Sequence, residues 1–271
     1  MAVDAEAAAA RTLCGFMRML LVLVLGLPAL RADSLRVEMA GETQTVLLNH
    51  NATISCLVLG TSQLDIKHMA VTWFRKNSVN GTYVRVFEFY GEHQEARRSG
   101  ADVSLQGLAK GNASLQLPEV QLWEAGEYRC EVVNTPYKDQ GTIFLKVVAC
   151  PDISLSVEKA KVKDNDYQRL LCKSRGFYPN HINITWCEWN QEYSQCLNIS
   201  ENITTNAAIE NDNKTFSVSS YLMPKHSPEH GGTYQCMVQH MPLCTPQKKN
   251  ITLPENGSES KSDLWKNPLK Y

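Results

Sequence analysis

Between residues 33 and 253 the chain alternates apolar and polar positions in short runs, broken by Gly, Asn, Pro and Asp, and no long stretch keeps a helical period. Alternation sends successive side chains to opposite faces, which is the pattern of a half-buried β-strand. The clearest strands of the first half are VTWFRK (71–76), ASLQLPEV (113–120), GEYRCEVV (126–133) and GTIFLKVV (141–148). In the second half they are YQRLLCKS (167–174), INITWCEW (182–189), TFSVSSYL (215–222) and TYQCMVQH (233–240). Many short strands at regular spacing predict an all-β sandwich or barrel.

One motif occurs twice and selects between these. EAGEYRC (124–130) and GGTYQC (231–236) each place a tyrosine two residues ahead of a cysteine, just after a glycine. In a two-sheet sandwich, cysteines on facing sheets join through the core, and a tryptophan on the strand after the first packs against the bridge. The tyrosine turns its hydroxyl back to the chain at the corner entering the second cysteine's strand. Both halves hold the required order, Cys56–Trp73–Cys130 and Cys172–Trp186–Cys236. The residues therefore predict two tandem immunoglobulin-like β-sandwiches with core disulfides Cys56–Cys130 and Cys172–Cys236.

The two copies are not alike. The first cysteine pair is 74 residues apart and the second 64. Variable-type domains insert two strands between the third and fourth, and RVFEFYGEHQEA (85–96) sits where they belong. The second copy carries CKSRGFYPN (172–180) and YQCMVQH (234–240), strings of constant-type domains, with Tyr178–Pro179 a candidate cis bond. The expected order is a variable-type domain at 33–149 and a constant-type domain at 150–253, divided at Cys150-Pro151.

Upstream, MLLVLVLGLPAL (19–30) follows Arg11 and Arg18 and ends at Arg31-Ala32, the layout of a secretory signal peptide over 1–32. Asp4, Glu6 and the long leader make Met17 an alternative start. Twelve apolar residues are too few for a spanning helix, which needs about 20. Residues 254–271 are polar and read as a disordered tail, so the chain as written is expected to be secreted. A truncated membrane form, displayed on the outside of the plasma membrane, would read the same.

Export fits the remaining composition. Eight of nine cysteines lie beyond the leader, an even number in keeping with an oxidising compartment. Nine asparagines open Asn-X-Ser/Thr and are candidate glycan acceptors: Asn51, Asn80, Asn112, Asn183, Asn198, Asn202, Asn213, Asn250 and Asn256. With 27 basic and 28 acidic side chains, the chain lacks the basic footprint that nucleic-acid binding needs.

Cys150, Cys187, Cys196 and Cys244 allow three pairings. Trp186 faces the core, so Cys187 faces outwards, and the turn through WNQEYS returns Cys196 beside it. Cys150 opens the second domain at the end where the loop MPLCTP carries Cys244. Cys187–Cys196 and Cys150–Cys244 are the expected pairs, with an intermolecular bridge from one of the four as the alternative.

Chemistry is sparse. His50, His68, His93, His181, His226, His230 and His240 form no recognisable site, and the i, i+4 pair His226/His230 lies in a loop sequence. No zinc-protease, nucleophile-elbow or phosphate-loop motif occurs, so no enzyme activity, metal or cofactor is expected. Function should reside in a surface. The loops GTSQLDIKH (60–68) and NTPYKDQ (134–140) fall together at the outer tip of a variable-type domain, and Tyr137 offers an amphipathic anchor.

LRVEMAGETQ, VFEFYGEHQEA, AGEYRCEVV, TPYKDQGT and GFYPNHINITW together resemble the B7/butyrophilin family of two-domain immunoglobulin ligands, from about Asp33 to Leu253. The resemblance implies a monomeric cell-surface ligand whose distal domain is read by an activating natural killer cell receptor. It assigns receptor contact to Thr135, Pro136, Tyr137 and Lys138, with Phe89 beside them. A T-cell costimulatory or inhibitory ligand, and a secreted decoy or adhesion module, are the alternatives. Family members continue into a stalk, a membrane helix and a cytoplasmic tail, and the four extra cysteines are not part of their usual pattern. A glycan on Asn80 or Asn112 could shield part of the distal domain.

Overall fold

The computed structural model describes residues 35–60, 64–91, 93–162, 165–190, 194–224 and 232–254. The expected leader, the tail after 254, part of the 60–68 loop, His226, His230 and Asn256 lie outside the described residues.

The first half forms strands β1 (Arg36–Met39), β2 (Thr43–Leu47), β3 (Ala52–Ile54), β4 (Cys56–Leu59), β5 (Met69–Lys76), β6 (Tyr83–Tyr90), β7 (His93–Ala96), β8 (Asp102–Val103), β9 (Leu115–Leu117), β10 (Gly126–Asn134) and β11 (Tyr137–Val148). A one-turn helix α1 (Leu105–Leu108) begins at Ser104, whose Oγ accepts from the Gly107 N–H. The front sheet runs β2-β11-β10-β5-β6-β7. Behind it lie the pair β1-β4 and the sheet β3-β9-β8. RVFEFYGEHQEA thus supplies the paired strands β6 and β7, at the edge of the front sheet.

Alternation fills the space between the sheets. Ile54, Cys56, Val71, Trp73, Leu115, Leu117, Tyr128, Cys130 and Val132 are all buried. Each such side chain contributes about 1.5–3 kcal/mol relative to exposure. Cys56 and Cys130 are joined with Cα atoms 6.5 Å apart. Trp73 lies opposite Cys130 on the neighbouring strand, and its indole N–H donates to Ala113 O at 2.9 Å. Tyr128 donates its hydroxyl to Glu124 O at 3.0 Å, closing the corner into β10.

The second half forms β12 (Asp152–Val162), β13 (Asn165–Phe177), β14 (Asn183–Asn190), β15 (Gln195–Ile199), β16 (Ile203–Thr205), β17 (Ile209–Glu210), β18 (Phe216–Leu222), β19 (Gly232–Gln239) and β20 (Gln247–Leu253). One sheet is β12-β13-β18-β16, with β17 on β18, and the other is β15-β14-β19-β20. Cys172 and Cys236 are joined across the core, Cα to Cα 6.3 Å, with Trp186 opposite Cys236. Here the indole N–H donates to Ser220 Oγ at 2.9 Å. The Tyr234 hydroxyl is hydrogen-bonded to the Glu188 carboxylate, where the tyrosine motif predicted a return to the backbone. Burial first, and Glu188 second, push its pKa up to about 12.

β15 is the edge strand beside β14, as the return of Cys196 predicted, and Cys187–Cys196 fastens it there, Cα to Cα 5.4 Å. Cys150–Cys244, also 5.4 Å, ties the junction residue to the loop after β19. Ala149 and Tyr178 exchange two backbone hydrogen bonds at 3.0 Å beside it. The Thr135–Pro136 and Tyr178–Pro179 bonds are cis.

Candidate protein-interaction surface

The seven residues read as an outer loop, 134–140, are mostly strand. β10 runs to Asn134 and β11 starts at Tyr137, directly paired with it, so Thr135 and Pro136 alone turn the hairpin. Pairing continues because Lys138 and Asp139 have partners: Lys138 Nζ meets Glu131 Oε1 at 2.9 Å, and Asp139 Oδ2 accepts from the Val37 N–H at 2.7 Å. Tyr137 is 40% exposed at the tip. Successive strand residues point to opposite faces, so Tyr137 and Lys138 leave the hairpin on opposite sides.

Phe89 is a correction. Its side chain is 2% exposed, packed in the core opposite Val71, and it presents nothing to a receptor. Phe87 and Phe89, two residues apart, pair with the buried Trp73 and Val71 and so both face the core, and a register shift between Trp73 and Phe74 adds Val86. Tyr90, the next residue, is 59% exposed and lies beside Ala70.

The outward residues of the front sheet form rows across the strands. Nearest the hairpin tip are Lys138, Val133, Ala70, Tyr90 and His93, with the Tyr90 and His93 rings 5.8 Å apart. The next row is Gln140, Glu131, Thr72, Glu88 and Glu95. Below it the Arg129 guanidinium lies between two rings, 4.7 Å from Phe74 and 4.0 Å from Tyr83. Arg129 Nε is buried with no hydrogen-bond partner among the described residues, and the two π-faces attract the cation. The Tyr83 hydroxyl donates to Glu127, and that bond raises the phenol pKa. Phe144 is exposed beside Glu127. Exposed aromatics such as Tyr90 and Phe144 are residues that protein interfaces favour.

The other predicted tip segment, 60–68, connects β4 to β5 as its sequence implied. Asp65 caps a single 3-10 turn, Ile66–His68, accepting from the Lys67 N–H at 3.0 Å, and that bond holds its carboxyl below the ordinary range. Far from the tip, the Arg98–Glu124 pair locks the base of the domain. Arg98 Nε donates to Glu124 Oε1 at 2.8 Å and Nη2 to Oε2 at 3.0 Å, while Glu124 is almost wholly buried. The carboxylate raises the guanidinium pKa further. Sequence reasoning missed this pair because Arg98 lies 26 residues ahead of Glu124 and outside the EAGEYRC motif that Glu124 opens.

No cluster of three or more His, Cys, Asp or Glu suited to a metal occurs among the described residues.

Residues 41–149 match the immunoglobulin V-set domain model and residues 153–243 the immunoglobulin C1-set domain model. The chain belongs to the immunoglobulin superfamily. The variable-type domain comes first and the constant-type domain second. Over 221 residues, 81% of the chain, it is 48% identical to natural cytotoxicity triggering receptor 3 ligand 1 of Homo sapiens. Over 82% of the chain it is 27% identical to tapasin-related protein of Mus musculus. The chain spans about half the length of these curated relatives, 48% in each case. The crystal structure of bovine butyrophilin shares the fold, with a TM-score of 0.60 at 19% identity, covering 81% of this chain and 99% of that one.

Proposed function

We propose that this immunoglobulin-superfamily chain is an extracellular ligand that binds an activating natural killer cell receptor, natural cytotoxicity triggering receptor 3, and so triggers cytotoxic lymphocytes. The observation that carries the reading is the 48% identity across both domains to a protein named as a ligand of that receptor. The geometry supports it: the β10–β11 hairpin carries Thr135, Pro136, Tyr137 and Lys138 at one end of a sheet that exposes Tyr90 and Phe144. Four intrachain disulfides suit an oxidising, extracellular setting. Among the described residues no helix is long and apolar enough to cross a membrane.

The action is binding, with Tyr137 as anchor at the hairpin tip. Purified chain tested against the receptor ectodomain should bind, and Tyr137→Ala should weaken binding roughly thirtyfold, about 2 kcal/mol. No binding by the parent chain removes this receptor. Equal binding by parent and variant moves the contact off Tyr137.

A further inference from the structure

The constant-type domain's sheet β15-β14-β19-β20 has a second kind of surface. On its outer face one row reads Asn198, Cys187, Gln235 and Asn250, from edge to edge. Asn183 lies on the same face of β14, opposite Gln239. All three asparagines are exposed and open Asn-Ile-Thr or Asn-Ile-Ser. With a strand period of two, the asparagine and hydroxyl residue of each triplet share a face and the isoleucine takes the other. The structure shows this three times: Ile184, Ile199 and Ile251 all pack against the core containing Trp186 and the Cys172–Cys236 bridge. Each acceptor is thus held outwards by its own isoleucine. By contrast, the six strands of the front sheet in the variable-type domain contain no Asn-X-Ser/Thr triplet.

We propose that this face is a glycan-bearing face, with N-linked chains at Asn183, Asn198 and Asn250 that close it to protein partners. At each site the asparagine Nδ2 forms a bond to C1 of N-acetylglucosamine from a polyprenyl-diphosphate-linked oligosaccharide. The C1–O bond to the diphosphate breaks, polyprenyl diphosphate leaves, and one amide proton is lost to base. Oδ1 keeps its acceptor role, so the bond from Gln235 Nε2 to Asn250 Oδ1, 2.8 Å, survives and orients the first sugar. Gln235 is 9% exposed although it points outwards, so its amide is already committed beneath its neighbours.

The spacing suits coverage. Asn198 and Asn250 are three strand spacings apart, about 14 Å, and Asn183 is about 13 Å along β14 from their row. Trp189, 37% exposed, lies opposite Cys196 and diagonal to Asn198, about 7–8 Å away. The apolar C–H face of the first sugar on Asn198 can lie on that indole. The Cys187–Cys196 bridge holds β15, and hence Asn198, against β14.

The proposal rests on export of the chain, as the proposed function does, and the experiment separates the two. The full chain is produced in cultured mammalian cells, its glycans are released enzymatically in isotopically heavy water, and every Asn-X-Ser/Thr peptide is scored by mass spectrometry. Hydroxyl-radical labelling of Trp189 is compared before and after release. Predominant modification of all three asparagines, with Trp189 labelling rising severalfold on release, supports the glycan-bearing face. Recovery of any of the three mainly unmodified, or equal Trp189 labelling in both states, overturns it. Modification elsewhere in the chain would leave export standing while this face falls; no modification anywhere would remove export as well.

Discussion

The two sandwiches share a bridge, an indole and a tyrosine, yet satisfy them differently. In the variable-type domain the Trp73 N–H and the Tyr128 hydroxyl both bond to backbone carbonyls, of Ala113 and Glu124. In the constant-type domain the Trp186 N–H bonds to Ser220 Oγ, and the Tyr234 hydroxyl to the Glu188 carboxylate. Backbone acceptors come with the fold and survive most substitutions. Side-chain acceptors have to be supplied by particular residues, so the second core is open to single changes that the first resists. The variable-type domain places its vulnerability elsewhere, in the buried Arg98–Glu124 pair at its base.

That contrast can be broken most severely at the ion pair. Arg98→Ala leaves the nearly inaccessible Glu124 carboxylate uncompensated and should destabilise the variable-type domain by ~3–5 kcal/mol. Urea unfolding followed by a probe in that domain reads the loss, and a change within the ~0–1 kcal/mol of an exposed pair would show that water replaces the guanidinium. The constant-type domain should unfold unchanged.

A smaller effect sharpens the comparison of the two indoles. Ser220→Ala removes the acceptor of Trp186 and also a partner of Thr205, whose Oγ1 is 2.8 Å from Ser220 Oγ. The constant-type domain should lose ~1–3 kcal/mol, the cost of an unpaired buried donor. In a Trp186→Phe background the same Ser220→Ala change should cost less, since no indole N–H is then left unpaired. If Ser220→Ala and the parent have the same midpoint, the side-chain acceptor carries no stability.

The gentlest test is alkaline. Tyr234 titrates near 10.0 when unfolded and near about 12 when folded. Below pH 10 both states are protonated and its contribution is complete. Between 10 and 12 the unfolded state releases the proton first, so stability falls, by at most about 1.4 kcal/mol per pH unit for one group. Tyr234→Phe should flatten that slope in the constant-type domain, and an unchanged slope would place the alkaline sensitivity elsewhere. Burial raises the Tyr128 pKa as well, so both domains weaken in alkali.

The surfaces differ as the cores do. The front sheet of the variable-type domain exposes Tyr90 and Phe144 among charged side chains such as Lys138 and Glu95. The β15-β14-β19-β20 face of the constant-type domain exposes three glycan acceptors. One architecture thus offers a face whose strands hold no Asn-X-Ser/Thr triplet and a face we assign to sugar.

Part of this was legible in the chain. The Cys–Trp–Cys order with Tyr-X-Cys marks the bridges because a cystine and an indole need fixed places on facing strands. The outward turn of Cys187 follows from the inward Trp186, and in the structure it meets Cys196. Phe89 was placed at the receptor surface by the resemblance alone, whereas its pairing opposite the buried Val71 turns it into the core. The length of the 134–140 loop was misread for another reason. Tyr137, Lys138 and Asp139 look like loop residues by type, but the bonds to Glu131 and Val37 that hold them in β11 come from other strands.

By itself the sequence determined the strand periodicity, the two bridged cores and their order, because these are set by spacings within a few strands. Only the tertiary structure decided which residues share a surface: Arg129 with Tyr83, Arg98 with Glu124, and Asn183 with Asn198 and Asn250. The physical reason is that sheet order and register bring together positions tens of residues apart, and alternation along one strand carries no information about its neighbours.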